Sequence, residues 1–133
     1  MSTLLMAAAA LEAATGLALM INPEIVNRWL LGEELPAVGI ALGRVSGFGF
    51  VALGLACWPD RRATSVAIGP LRALLTYNLL VTIYLVYLGI GGSLVGSLLW
   101  PAAALHAGLT LLLARAWFQQ RQTKTTNAAQ GSA

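Results

Sequence analysis

The chain has 133 residues, 58% of them hydrophobic and only 10% charged, with a formal net charge of +3 and a mean hydropathy of +0.76. Soluble domains are about a quarter charged, so a water-soluble globular domain is excluded. The pI near 9.6 does not signal nucleic acid, because the basic residues are few and sit mostly in loops, where the membrane orientation bias explains them.

Four apolar stretches each approach the roughly 20 residues needed to cross about 30 Å of hydrocarbon. The expected fold class is therefore all-α: a polytopic bundle of four transmembrane helices, with a short interfacial helix between the first two. Spans are expected over residues 4–21, 36–58, 70–90 and 94–118, followed by a polar, disordered cytoplasmic tail over 119–133. The first span could be mistaken for a signal peptide. It lacks a basic start, and Glu12 interrupts its apolar run, so it is expected to be kept as a true span.

Span 1 is rich in Ala and Gly, which suits close helix packing. Asn22-Pro23 ends it, because the residue before a proline is pushed out of helical geometry. After it, Ile25, Trp29 and Gly32 fall on one face of a short helix, with Val26, Leu30 and Leu31 beside them. Glu24, Asn27, Arg28, Glu33 and Glu34 point to water. This pattern fits a helix lying in the interface, with Trp29 at headgroup level.

Span 2 carries Gly39, Gly43 and Gly47 every four residues, a packing face for neighbouring helices, and Arg44 well inside the apolar run. Span 3 can hold Pro70 in its first turn. It brings Thr76, Tyr77, Asn78, Thr82, Tyr84 and Tyr87. Tyr84 and Tyr87 read as interfacial anchors, although the tyrosines and Trp100 could also line an aromatic pocket. A hairpin turn from Gly89 to Ser93 leads to span 4, where Trp100-Pro101 is expected to kink the helix one turn before His106. Cys57, the one cysteine, excludes an intramolecular disulfide and reads as a small core residue.

Arg61, Arg62, Arg72, Arg115, Arg121 and Lys124 fall on one side of a four-span topology and only Arg28 on the other. This bias predicts a bacterial inner-membrane protein with both termini cytoplasmic. At 1.5 Å per residue, Glu12 lies about 13 Å from the outer end of span 1, and Arg44 and Thr82 about 12 Å from theirs. Trp100 falls at a similar level, with Asn78 and His106 about 6–9 Å further towards the cytoplasm. A charge at this depth costs about 2.5–3.5 kcal/mol. Glu12 is the one acid at the depth of Arg44, so a buried Glu12–Arg44 pair is expected, with Asn78, Thr82, Trp100 and His106 in the same zone. Such a pair could be a ligand, proton or ion site, or could only fix helix register.

His106 has no Cys, His or acidic residue three or four positions away, so no metal site is expected. A bis-His haem would need a second protomer. A core histidine, a relay or ligand contact, and a cofactor ligand all remain open for it, and no cofactor is expected. No nucleophile–base pairing or phosphate-binding loop is present, so no catalytic residue is assigned. Gly47-Phe48-Gly49 lies mid-span and cannot be a phosphate turn.

The first 60 residues resemble the DoxX-like group of small bacterial four-helix membrane proteins. The likeness rests on a first span closing at Pro23, the Leu30-Leu31-Gly32 connection, and Arg44-x-x-Gly47 followed by Ala52-Leu53-Gly54-Leu55. The resemblance implies the four-helix architecture and transfers no catalytic residue. A membrane-embedded glutamate on span 1 is also similar to small multidrug resistance transporters, but Gly16 stands four positions after Glu12 rather than three, and Arg44 would occupy the carboxylate.

Three functions follow as expectations. The first is an accessory or scaffold subunit in the bilayer, as a homodimer or in a larger complex, with or without a small hydrophobic ligand. The second is a proton-coupled transporter using Glu12. The third is a membrane enzyme acting on a lipid or quinone through Glu12 and His106, which predicts an apolar pocket between spans 1, 2 and 4. Contact between Glu12 and Arg44 favours the first, and a pocket beside His106 the third.

Overall fold

A computed structural model describes residues 2–58 and 68–130, with side chains described from residue 3 to residue 122. Arg61, Arg62 and the side chain of Lys124, which enter the orientation bias, lie outside the described residues. Among those residues every regular element is a helix: α1 (Ser2–Ile21), α2 (Pro23–Leu31), α3 (Ala37–Ala56), α4 (Ile68–Gly91) and α5 (Leu99–Gln130). The helices α1, α3, α4 and α5 are long and apolar enough to cross a membrane.

The break between α1 and α2 follows from Asn22-Pro23. Asn22 leaves helical geometry, and its Oδ1 accepts from the Ile25 amide at 3.1 Å. Pro23, whose missing N–H costs nothing at a helix start, opens α2. Gly32 closes it in the left-handed region at φ 83°, where a side chain would be strained. The expected short amphipathic helix is therefore present. Its polar side carries an exposed Arg28–Glu34 ion pair at 2.7 Å.

The helix α1 packs antiparallel on α3 through a seam of small residues. A Cβ added at Gly47 would lie 2.6 Å from the Gly16 carbonyl oxygen, and one at Gly54 would lie 2.6 Å from that of Ala9. At Gly43 it would meet Pro23 at 2.7 Å. Gly43 and Gly47 thus pack as expected. Gly39 does not, because its added Cβ would meet only Leu35 and Pro36 at its own helix entrance. Gly54 and Gly16 complete the seam instead.

The helices α4 and α5 form the second antiparallel pair, from Trp100 seated over Gly89 at one end to Arg72 beside Trp117 at the other. Where the four chains of side groups meet near the termini, Leu5, Ala8, Ala9, Cys57, Leu71, Leu74, Leu113 and Ala116 form one closed core. Cys57 is a buried core thiol there, as expected.

Four sequence expectations change. The last span starts at Leu99, not near residue 94, because the preceding backbone is used elsewhere. The Gly96 and Leu98 amides donate to the Leu30 and Trp29 carbonyls at 3.0 and 2.8 Å. These bonds satisfy carbonyls that the end of α2 leaves open and clasp α2 to the α4–α5 connection. Trp100-Pro101 consequently falls in the first turn of α5, where proline is tolerated, rather than at a mid-span kink. The tail is also helical to Gln130. Its Gln, Arg and Lys residues are polar but, like its alanines, good helix formers, so polarity alone misplaced the end of the helix. Similarly, α4 runs through Gly91 and stops at Gly92, which takes φ 69°.

Candidate functional site

The expected Glu12–Arg44 pair does not form. Arg44 is exposed on the outer surface of the bundle, whereas Glu12 is completely buried. Among the described residues the one ion pair is Arg28–Glu34. Rotation explains the failure. Arg44 is one residue from Gly43, about 100° of helix turn away from the seam, so packing the glycines on α1 turns the guanidinium outward. Its long stem can carry the charge towards the headgroups. Glu12 is turned off the same seam, since Ala9, Ala13 and Gly16 take the α3 side, and it meets α4 instead.

Asn78, equally buried, is the partner that α4 presents. Its Nδ2 donates to the Leu74 carbonyl at 2.9 Å and, at a long 3.5 Å, to Glu12 Oε1. Glu12 Oε2 has no partner. Such a buried orphan costs about 1–3 kcal/mol, and a low-dielectric position raises the stakes of every bond around it.

On its other side Asn78 Oδ1 sits 2.7 Å from His106 Nδ1. The two acceptors on its amide group fix which atom of Asn78 is the oxygen, so His106 Nδ1 must donate to it. In the neutral ring this leaves Nε2 as an acceptor. Glu12, Asn78 and His106 therefore form one polar layer across α1, α4 and α5. Aromatic edges continue it: Tyr77 stands edge-on to His106 with centroids 6.1 Å apart, and Phe50 edge-on to Tyr77 at 5.4 Å.

This layer borders a cavity of about 430 Å³ on the side of the bundle closed by α2. Leu11, Thr15 and Leu19 of α1, Tyr77, Val81 and Leu85 of α4, and Ala102, Leu105 and His106 of α5 line its walls. Ile25, Val26, Trp29 and Leu30 of α2 roof it, and α3 contributes only Phe50. The pocket thus lies between spans 1, 3 and 4, not 1, 2 and 4, because the glycine seam leaves no space between α1 and α3.

Of the residues read from the sequence, the structure brings together Glu12, Asn78 and His106. Thr82 is one turn along α4, its hydroxyl donating to the Asn78 carbonyl at 2.8 Å, and it does not line the cavity. Trp100 is 49% exposed and packs over Gly89. Tyr84 and Tyr87 are exposed, as interfacial anchors would be. Tyr77 belongs to the site and Phe50 joins it. The aromatic-pocket alternative holds for Tyr77, which lines the cavity with Phe50, and not for Tyr84, Tyr87 or Trp100; nothing in spacing marked Phe50. No group of three or more His, Cys, Asp or Glu residues able to hold a metal occurs among the described residues.

No family model, curated protein or solved structure matches the chain.

Proposed function

We propose that this is a multi-pass inner-membrane protein of DoxX-like type that binds one amphipathic small molecule in the α2-roofed cavity. One observation carries the reading: an apolar space of about 430 Å³, within the range of small-molecule sites, ends on the polar cluster of Glu12, Asn78 and His106. The apolar lining suits an alkyl or isoprenoid tail. The free Nε2 of His106 suits a head that offers an O–H or N–H. The basic residues at the opposite end of the bundle support cytoplasmic termini, which would open the cavity region towards the outer leaflet.

The experiment is photolabelling in nanodiscs with a long-chain primary alcohol carrying a terminal diazirine. Saturable label on Leu11, Thr15, Tyr77 or His106, competed by the unlabelled alcohol, is expected. Label confined to lipid-facing residues such as Leu42 and Phe48 would overturn the reading.

A second reading, proton-coupled transport through Glu12, gains from one finding: Arg44 does not occupy the carboxylate. It requires water to reach a carboxyl that is fully buried here. Proton flux in liposomes that is lost in Glu12→Gln would select it.

A further inference from the structure

The polar side chains in the lining of the α2-roofed cavity are those of Thr15, Trp29, Tyr77 and His106. The hydroxyls of Thr15 and Tyr77 can turn to donate or to accept, so neither discriminates between ligand heads. The Trp29 indole only donates, and it hangs from the roof, at the level of Leu98, whose amide its carbonyl holds. His106 differs from all three. A neutral imidazole has one donor and one acceptor nitrogen, and the bond made at one nitrogen decides the role of the other.

That decision is made outside the cavity. Asn78 is completely buried and is not part of the lining. Its Nδ2 donates to the Leu74 carbonyl at 2.9 Å. A main-chain carbonyl can only accept, and this one is held within α4. Turning the amide over would lose that bond and set oxygen against oxygen. Asn78 Oδ1 therefore faces α5 and lies 2.7 Å from His106 Nδ1. The proton sits on Nδ1, and Nε2 is bare. Among the described residues Glu12 Oε2 is the one buried side-chain nitrogen or oxygen without a partner. Nε2, which bonds to no described group, is therefore not sealed in the core. It reaches the open space that His106 lines.

We infer that Asn78 sets the ligand class of the cavity by holding His106 in the Nδ1–H form, so that the site takes long-chain hydroxyl compounds and rejects the corresponding ketones. The inference rests on the reading of this cavity as a ligand site. A hydroxyl head donates to Nε2, whereas a ketone oxygen would face it lone pair to lone pair. Asn78 does not touch the ligand. It is a positioning residue that acts through the imidazole.

The test has two arms. His106 is the only histidine in the chain, so the protein labelled with ¹⁵N-histidine and held in nanodiscs at neutral pH gives one imidazole pattern. The parent chain is expected to show Nδ1 protonated and Nε2 bare, and Asn78→Leu to lose that fixed pattern. A parent ring protonated on Nε2, or on both nitrogens, would overturn the inference even if Asn78→Leu cannot be purified. The second arm compares methyl pentadecyl ketone with the secondary alcohol of the same skeleton, by equilibrium binding. The parent is expected to bind the alcohol about tenfold more tightly, the effect of one neutral hydrogen bond made against one acceptor left bare. In Asn78→Leu the ratio should fall towards one. Equal binding of the two compounds by the parent, or an undiminished preference in Asn78→Leu, would overturn the selection while leaving the cavity a ligand site. Binding of neither compound would overturn the ligand reading itself, and the selection with it.

Discussion

The two sides of α1 are built to opposite ends. Towards α3 it presents Ala9, Ala13, Gly16 and Met20, and the two backbones touch. Towards α4 and α5 it presents Leu5 and Ala8 near the termini, then Glu12, and then Leu11, Thr15 and Leu19 along an open space. Small residues in register draw helices together. A buried carboxyl followed by medium-sized side chains, with α2 laid across the end, leaves room between them. The helix that grips α3 most closely is thus the one that keeps its distance from α5 at the cavity level. Rigidity on one side makes a preformed hollow possible on the other.

The seam should be the harder side to break. Gly54→Leu puts a side chain into the Ala9 carbonyl and Ala13. It is expected to abolish the folded bundle, costing more than the roughly 1–3 kcal/mol of ordinary overpacking. Gly49→Leu, where an added Cβ meets nothing within 4 Å, should fold normally. Thermal unfolding in detergent followed by circular dichroism reads both.

Next in size is the contrast between closed core and cavity wall. Leu74→Ala, in the packed end of the bundle, is expected to cost about 2–5 kcal/mol. Leu11→Ala, beside space that already exists, should cost less than half as much while changing ligand affinity. Equal losses would mean that the cavity collapses around its lining. Reversible unfolding in mixed micelles measures the difference.

Smaller again is the polar layer. Glu12→Leu leaves the amide of Asn78 with one acceptor fewer and should cost about 1–3 kcal/mol. Glu12→Gln, of nearly the same shape, should keep the fold. Arg44→Gln, at an exposed position with no carboxylate partner, should shift stability by less than about 0.5 kcal/mol. An equal and non-additive loss from Glu12→Gln and Arg44→Gln would restore the ion pair that the structure separates.

The sequence carried the axial layout of the molecule well and its rotations poorly. Length and hydropathy located the spans, Asn22-Pro23 and Gly32 bounded α2, and depth from the helix ends put Glu12, Asn78 and His106 in one zone. Depth says nothing about which way a side chain turns. Arg44 has the depth of Glu12, yet its neighbours Gly43 and Gly47 claim the α1 side and send it outward. Gly39 continues the four-residue ladder but lies where α3 has already left its neighbour. The start of α5 was hidden because the Gly96 and Leu98 amides bond to α2 across the chain, a pairing no local pattern records. The cavity was anticipated only as a possibility beside His106. It arises from what four helices fail to fill, so Phe50 and Tyr77 gave little warning of meeting there.

The most direct measurement is equilibrium binding of a long-chain primary alcohol to the purified chain and to Ala102→Trp, with thermal unfolding recorded for both. Ala102 lines the cavity and is only partly buried, so an indole there fills the hollow without entering the closed core. Saturable binding of one molecule by the parent chain, lost in Ala102→Trp at unchanged unfolding temperature, is the expected result. Equal binding by both chains, or none by either, would contradict a ligand site under α2.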